Sequence, residues 1–458
     1  MKSLDLTPTN ENVYNSLIND SIGRGEFVRQ FVKMLNAIED NCTIALEGNW
    51  GSGKTFFVKQ VKMVLDAHNP NYQPVNGFLT EERRKVIKEK CSEFNAEDGS
   101  TELKPQLCVY YDAWQNDNDE DPILSLVYSI VKEIGSDFSF DKKPTLDICS
   151  ELINLVCDKD ISKLIKVLKG ENALDLIKKT KDEAEKVSEF LQSLLPEVGE
   201  RLIVFVDELD RCKPSYAVKL LERIKHYFLD EEITFVFSVN INELQHTIKK
   251  HYGNDFDATR YLDRFFDLRA TLPKFDLEKY YANIGFELNE KMFNYVCASV
   301  INKYQFEMRN IAKYIRLAKI AVPKSVRKGD MLFVPEKSAL FIYNIYVIPI
   351  MIGLKLTDAK RFENFVNGKD CTPLLDFQKC FSMGCFVDLA FERYEKSSSD
   401  KAAAIEKKIK EIYDAIFVEK YEDESYRLIG SMYFDKKTKN SVMCIAGLMS
   451  SSANFDEE

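Results

Sequence analysis

The chain changes its hydrophobic period near residue 275. Before that point, short apolar runs alternate with stretches whose apolar residues fall three and four apart. The runs are Cys42-Thr43-Ile44-Ala45-Leu46, Leu107-Cys108-Val109-Tyr110-Tyr111, Leu202-Ile203-Val204-Phe205-Val206, and Ile233 to Val239. Unbroken apolar runs rich in β-branched and aromatic residues predict strands buried on both faces, as in a parallel sheet. Helical spacing covers residues 26–39 (Phe27, Val28, Phe31, Val32, Leu35, Ile38) and Phe56 to Leu65 (Phe57, Val58, Val61, Val64 and Leu65 on one face). It returns over Ile123 to Ile134 and Ala217 to Phe228. Strands alternating with helices predict an α/β protein with a doubly wound parallel sheet and right-handed crossovers.

Beyond residue 276 the pattern is helical, over 277–320, 338–367, 374–393 and the Lys/Glu-rich 400–417. The tail after Asp435 reads as small, polar and loosely held. The expected organisation is an N-terminal arm over 1–20, an α/β domain over 21–275 with insertions at 66–106 and 136–199, and a helical C-terminal region over 276–458. The basic run Arg83-Arg84-Lys85 in the first insertion reads as a solvated face. In the second, Ala173 to Leu195 places Ile177, Val187, Phe190, Leu191, Leu194 and Leu195 at helical spacing, a face for its own domain or for a partner. Phe341 to Leu354 is nearly all apolar but short of a bilayer span, and it carries Asn344 and Pro349. A buried helix is expected there and no membrane span, with a membrane-associated hairpin as the alternative.

Composition narrows the class. A length of 458 residues suits two or three domains. A net charge of −10 argues against a nucleic-acid binder as a whole and leaves a local basic patch open. The 11 cysteines form no C-x-x-C pair, and with 4 histidines no zinc site is expected. Met1-Lys2-Ser3-Leu4-Asp5 lacks the apolar stretch of a signal peptide, so reduced thiols and a cytoplasmic location are expected.

The candidate chemistry starts at Gly48-Asn49-Trp50-Gly51-Ser52-Gly53-Lys54-Thr55, which fits G-x-x-x-x-G-K-[ST] between a predicted strand and a predicted helix. Glycines let the backbone wrap phosphate, and N–H groups at the helix start, Phe56 included, face the anion. Lys54 would reach the β- and γ-phosphates, and the Thr55 hydroxyl would bind Mg²⁺. A second constellation, Asp207-Glu208-Leu209-Asp210-Arg211-Cys212-Lys213-Pro214, follows a central apolar strand, where such sheets bind ligands. Asp207 is placed to hold Mg²⁺ and Glu208 to orient the attacking water. Asn240, after Ser238-Val239, can bond the γ-phosphate or the water, or simply end a strand. Arg264, in Tyr261-Leu262-Asp263-Arg264-Phe265-Phe266-Asp267-Leu268, is either a transition-state arginine or a surface arginine on a helix packed by Leu262, Phe265 and Phe266.

These stretches, with Ala113-Trp114 and Tyr216 to Phe228, resemble in order the KAP-family P-loop NTPases, an additional-strand class related to AAA+ and STAND ATPases. The resemblance covers roughly residues 20–320. It implies an ATPase using ATP and Mg²⁺, with the helical region as lid and partner surface. By position it implies that Gly23 and Arg24 lie near the adenine and that Asn240 is a sensor. It makes Arg264 similar to an arginine finger. It also makes Arg309 (or Arg316) similar to a lid arginine. A finger acting in trans implies a homo-oligomer, and coupling implies a protein effector partner. Members also occur in bacterial defence against phages and plasmids. Asp112 stands where relatives often have Asn, so a sensing role there does not carry over. The alternative to a coupling ATPase is a nucleotide-dependent scaffold with little turnover that recruits an effector.

Overall fold

The architecture comes from a computed structural model that describes residues 7–71, 77–95, 103–119, 121–134, 195, 198–227, 232–286, 288, 292–328, 338–377, 398–430 and 432–449. The predicted helix Ala173 to Leu195 lies outside the described residues apart from its last position, as does most of 374–393. The described residues divide into two compact units, one lying within Asp5–Tyr280 and one from Tyr281.

The first unit is built on five parallel strands: β1 (Cys42–Glu47), β2 (Gln106–Asp112), β3 (Arg201–Asp207), β4 (Ile233–Val239) and β5 (Leu268–Thr271). Their order is β2-β3-β4-β1-β5, so β4 stands between the phosphate-loop strand and the acid strand. The register sets Asp112 beside Asp207 and Asp207 beside Ser238, bringing the strands' carboxyl ends to one edge. Alternate strand residues feed two cores. Leu107, Val109, Val204, Val206, Phe235 and Phe237 face one side, packed with Leu126, Leu220 and Leu244. Ile44, Leu46, Cys108, Ile203, Phe205 and Val236 face the other, packed with Phe31, Val58 and Val61. Every residue of β3 and β4 is buried, which is why both read as unbroken apolar runs.

The described helices of this unit include α1 (Asn10–Asn19), α2 (Gly25–Asn36), α3 (Lys54–His68), α4 (Glu81–Lys90), α5 (Pro122–Ile134), α6 (Pro214–Tyr227), α7 (Ile241–Tyr252) and α8 (Ala258–Leu262). Two expectations are corrected here. Residues 10–19 are a packed helix, not an arm: the Thr9 hydroxyl accepts from Asn12 N–H, and Val13 and Leu17, four apart, are buried with the α3 core. The basic run is not a solvated face throughout. Arg84 is 5% exposed, and its Nη1 donates to the carbonyls of Asp66 (2.7 Å), Ala67 (3.3 Å) and Asn69 (3.1 Å). It thereby satisfies carbonyls that the end of α3 leaves open.

Asp66, also in that last turn, is fully enclosed. Its Oδ2 accepts from Lys62 at 2.6 Å, and Lys62 is shared with Glu133 at 2.8 Å. Asp66 Oδ1 is buried with no hydrogen-bond partner among the described residues. Burial pushes the Asp66 carboxyl up to about 6, outweighing the pull of Lys62.

The helix that the surface-arginine reading placed at Leu262, Phe265 and Phe266 stops at Leu262, and β5 follows. This strand has no apolar signature because most of it is exposed at the sheet edge. It is fixed by Asp267, whose Oδ2 accepts from the Thr43 backbone N–H (2.8 Å) and hydroxyl (2.6 Å).

The second unit includes α9 (Met292–Tyr304), α10 (Met308–Ala321) and a continuous helix made of Ser338–Ile342, a π-helical turn at Tyr343–Val347, and Ile348–Thr357. Pro349 has no N–H to continue the ladder, which accounts for the widened turn just before it. The Tyr314 hydroxyl donates to the Pro349 carbonyl at 3.2 Å. At Gly353 a Cβ would meet Val300 Cγ1 at 2.5 Å, so α9 packs directly on this helix backbone. The stretch Ala339–Thr357 is long and apolar enough to cross a membrane by length and composition, and 78% of its most apolar window is buried within the protein. Ser398–Tyr413 forms a helix that runs on through Val418. Two features were not expected: a hairpin, β6 (Tyr426–Ile429) with β7 (Met432–Asp435), and a helix Lys436–Met449 in place of a loose tail. The helix starts on a reciprocal cap. Asp435 Oδ1 accepts from Thr438 N–H (2.7 Å), and Thr438 Oγ1 accepts from Asp435 N–H (3.0 Å).

Candidate nucleotide-binding site

The glycine loop leaves β1 and enters α3 at Lys54. Gly51 (φ 83°) and Gly53 (φ 93°) take the left-handed backbone that other residues resist, which turns the loop at the helix start. A Cβ on Gly48 would lie 2.8 Å from Ser52 Oγ and 3.2 Å from Lys54 Cγ, so only glycine leaves that space open. Gly48 N–H donates to Val239 O (3.1 Å), tying the loop to the end of β4. Asn49 and Trp50 are exposed at its tip. Phe56 is half-buried in the first turn of α3.

The loop and the acid strand meet in this structure. Thr55 Oγ1 donates to Asp207 Oδ2 at 2.7 Å, across 152 positions of sequence. Lys54 Nζ turns back to donate to Gly48 O (2.7 Å) and Asn49 O (3.2 Å). Burial lowers the Lys54 ammonium below its ordinary pKa, while the Asp210 and Asp207 carboxylates oppose that shift. Glu208 follows with left-handed backbone (φ 58°), a strained conformation for a residue with a side chain. Burial raises its carboxyl, Arg211 lowers it, and Asp207, Asp112 and Asp210 raise it further.

Three neighbours escaped the sequence reading as site residues. The Tyr110 hydroxyl donates to Asp207 Oδ2 at 2.9 Å. Asp210 Oδ2 accepts from the Trp50 indole N–H (2.6 Å) and the Asn240 backbone N–H (3.3 Å). Arg211 Nη1 lies 3.1 Å from Glu208 Oε2. Asp210 and Arg211 adjoin the acid pair in sequence, which was the available signal. Tyr110 gave none, because its role comes from the β2–β3 register.

The other expected residues divide. Asn240 stands at the end of β4 and precedes α7, and its side chain makes no cap bond. Arg24 is 4% exposed; its Nη1 donates to Ser52 O (2.8 Å), and its Nε and Nη2 donate to Pro273 O (2.9 and 2.6 Å). It braces the phosphate loop from behind. Gly23 (φ 73°) sits where a Cβ would strike Asp276 Cβ at 2.5 Å. Arg264 is exposed and lies before β5, whose Leu268 pairs with Ile44 near the start of β1. The phosphate loop leaves the opposite end of β1, and at about 3.3 Å per residue Ile44 and Gly48 alone are ~13 Å apart. Arg264 is therefore on the sheet edge away from its own loop. Arg309 and Arg316 are exposed on α10, in the second unit.

The site fits a magnesium triphosphate. Ser52 Oγ and Ser238 Oγ are buried with no hydrogen-bond partner among the described residues, and the Gly48 space is open. Thr55 and Asp207 offer hard oxygen donors, which suit Mg²⁺. Among the described residues no group of three His, Cys, Asp or Glu side chains forms a metal cluster. None is required where phosphates and water complete the shell.

A parallel sheet with an extra strand between the loop strand and the acid strand, and with loop and acid in contact, defines a P-loop NTPase. The chain belongs to the KAP family: the family model described as KAP family P-loop domain matches residues 24–321. Among solved structures it is similar to the Aeropyrum pernix ORC2 protein in ADPNP–ADP complexes, at 11% identity and TM-score 0.32, over 93% of each chain. It is similar to the Aeropyrum pernix ORC1 protein in complex with DNA, at 11% identity and TM-score 0.33, over 85% of this chain and 84% of that one. At such scores these likenesses carry no argument about what this chain binds. No curated protein matches it.

Proposed function

We propose that the chain is a Mg²⁺-dependent ATPase that converts ATP binding and hydrolysis into a change of shape or assembly in a partner complex. The 2.7 Å bond between Thr55 and Asp207 carries this reading, because it brings the phosphate loop to the acid strand. Bound magnesium would supply charge neutralisation on the transferring phosphoryl group. The loop N–H groups and Lys54 hold the phosphates, Thr55 and Asp207 hold the ion, and Tyr110 orients Asp207. Glu208 orients the water and takes its proton, and Asn240 contacts the γ-phosphate or that water. In-line transfer needs positioning and electrostatics more than covalent chemistry.

Arg264, away from its own loop, serves a second copy, so active sites form between protomers of a homo-oligomer. Arg309 acts as the lid arginine, and the second unit receives a protein effector. The defence setting known for the family is the proposed context, and neighbouring genes encoding a nuclease or deaminase are its test. The biochemical test is ATP hydrolysis by purified protein with Mg²⁺. Turnover absent in Lys54→Ala and Asp207→Ala supports the reading, and retained turnover in either refutes the site.

The scaffold reading has one observation in its favour: the Glu208 carboxylate is engaged by Arg211. Negligible wild-type turnover, with partner binding unchanged in Glu208→Gln, would select it.

A further inference from the structure

The phosphate chemistry leaves Arg211 without a task, yet its guanidinium is held on three sides. Glu208 is followed by a 3₁₀ turn, Leu209–Arg211. Three residues per turn bring side chains i and i+3 to one side, and Arg211 Nη1 meets Glu208 Oε2 at 3.1 Å. The same guanidinium lies 5.8 Å from the Trp50 ring centre and 5.4 Å from the Trp114 ring centre, both within cation–π range. Trp50 belongs to the phosphate loop, and Trp114 to the turn after β2. They are 45% and 51% exposed, so a seat for the guanidinium, and not core packing, is what these rings provide. The Trp50 indole is pinned from its other edge by Asp210, which also holds the Asn240 backbone. Any shift of the loop at residue 50 therefore changes the seat of Arg211. An ion-paired Glu208 gives Oε2, one of the two carboxylate oxygens that could hold an attacking water, to the guanidinium.

We propose that Arg211 is a positioning residue that latches Glu208 in the resting chain, and that Trp50 is the part through which triphosphate on the loop releases the latch. This rests on the ATPase reading of the site. Turnover is gated by the exchange of one Glu208 partner, guanidinium, for another, water, and the phosphate loop triggers that exchange.

The chain contains two tryptophans, so Trp114→Phe leaves Trp50 as the sole emitter. ATPγS with Mg²⁺ is titrated into Trp114→Phe and Trp114→Phe/Arg211→Gln, with binding measured independently by calorimetry. Steady-state ATP turnover is compared for wild type, Arg211→Gln and Arg211→Lys. The latch predicts that Trp50 emission changes on binding. It also predicts that the Arg211→Gln background starts near the bound value and changes by less than a third as much. Arg211→Gln raises kcat at least threefold with KM within twofold, and Arg211→Lys returns kcat to within twofold of wild type. A merely structural role would lower kcat or raise KM, without rescue by lysine. If Arg211→Gln fails to fold, Trp114→Ala, at an exposed position, removes half the seat and must raise kcat in the same direction. If wild type binds ATPγS without measurable turnover, turnover must appear in Arg211→Gln. Silent Trp50 emission despite calorimetric binding, or kcat lowered or unchanged in Arg211→Gln, overturns the latch alone. Wild type that binds no ATPγS overturns the ATPase reading and the latch with it.

Discussion

Asp66 gives a stability prediction whose size and sign follow from its surroundings. It lies in the last turn of α3, where the helix dipole disfavours an anion, and burial raises its carboxyl from 3.8 to about 6. Roughly two pKa units at 1.36 kcal/mol each correspond to ~3 kcal/mol between its charged and neutral forms in the fold. The native pKa is above the unfolded one, so the native state binds more protons between them. The penalty is absent below about pH 4, grows between pH 4 and 6, and is complete above 6. Asp66→Asn keeps the shape and imitates the neutral acid, while Lys62 retains Glu133. The substitution should therefore stabilise the P-loop unit by about 2–3 kcal/mol at pH 7.5 and by about nothing near pH 4. Urea denaturation of both proteins, followed across pH 4–8, reads the difference. Asp66→Asn that destabilises equally at every pH would instead make the Lys62–Asp66 ion pair a net stabiliser.

Further expectations concern the site. Glu208→Gln should keep ATP affinity within a few-fold and lower kcat by about 10²–10⁴, the usual worth of a positioned general base, measured by phosphate release against calorimetry. Arg264→Ala should lower turnover by about 10³ or more, as expected for an arginine finger, and mixing it with Lys54→Ala should restore part of the activity through mixed interfaces. No recovery on mixing would mean that the arginine does not act in trans. Arg24→Ala removes the brace on Ser52 and Pro273, so it should weaken nucleotide binding and lower the thermal midpoint together, while unaltered affinity would show that the brace is dispensable. Asp435→Ala should cost about 1 kcal/mol, through loss of a helix cap, and fray Lys436–Met449 in hydrogen exchange.

How much could be read in advance depended on the kind of interaction. Strands β1 to β4 were legible because both faces are buried and the residues say so. β5 was not, since an exposed edge strand such as Leu268-Arg269-Ala270-Thr271 carries no apolar signature and owes its place to Asp267 on Thr43. Arg84 looked like solvated charge because sequence does not show that the end of α3 has carbonyls to satisfy. Thr9 and Asp435 were readable caps that the polar character of their segments concealed. Spacing rules tied to phosphate chemistry single out Lys54, Thr55, Asp207 and Glu208 as candidates, and the fold brings Thr55 onto Asp207. Tyr110 and Asp210 depend on strand register and a long-range indole contact, neither of which a linear pattern encodes.

On the proposed function, the glycine loop and Asp207 act on a single magnesium triphosphate. Calorimetric binding of ATPγS, with and without Mg²⁺, to wild type, Lys54→Ala and Asp207→Ala tests it most directly. One site per chain is expected, tightened by Mg²⁺ in wild type, lost in Lys54→Ala, and insensitive to Mg²⁺ in Asp207→Ala. Magnesium-enhanced binding of wild-type strength in Asp207→Ala would contradict it.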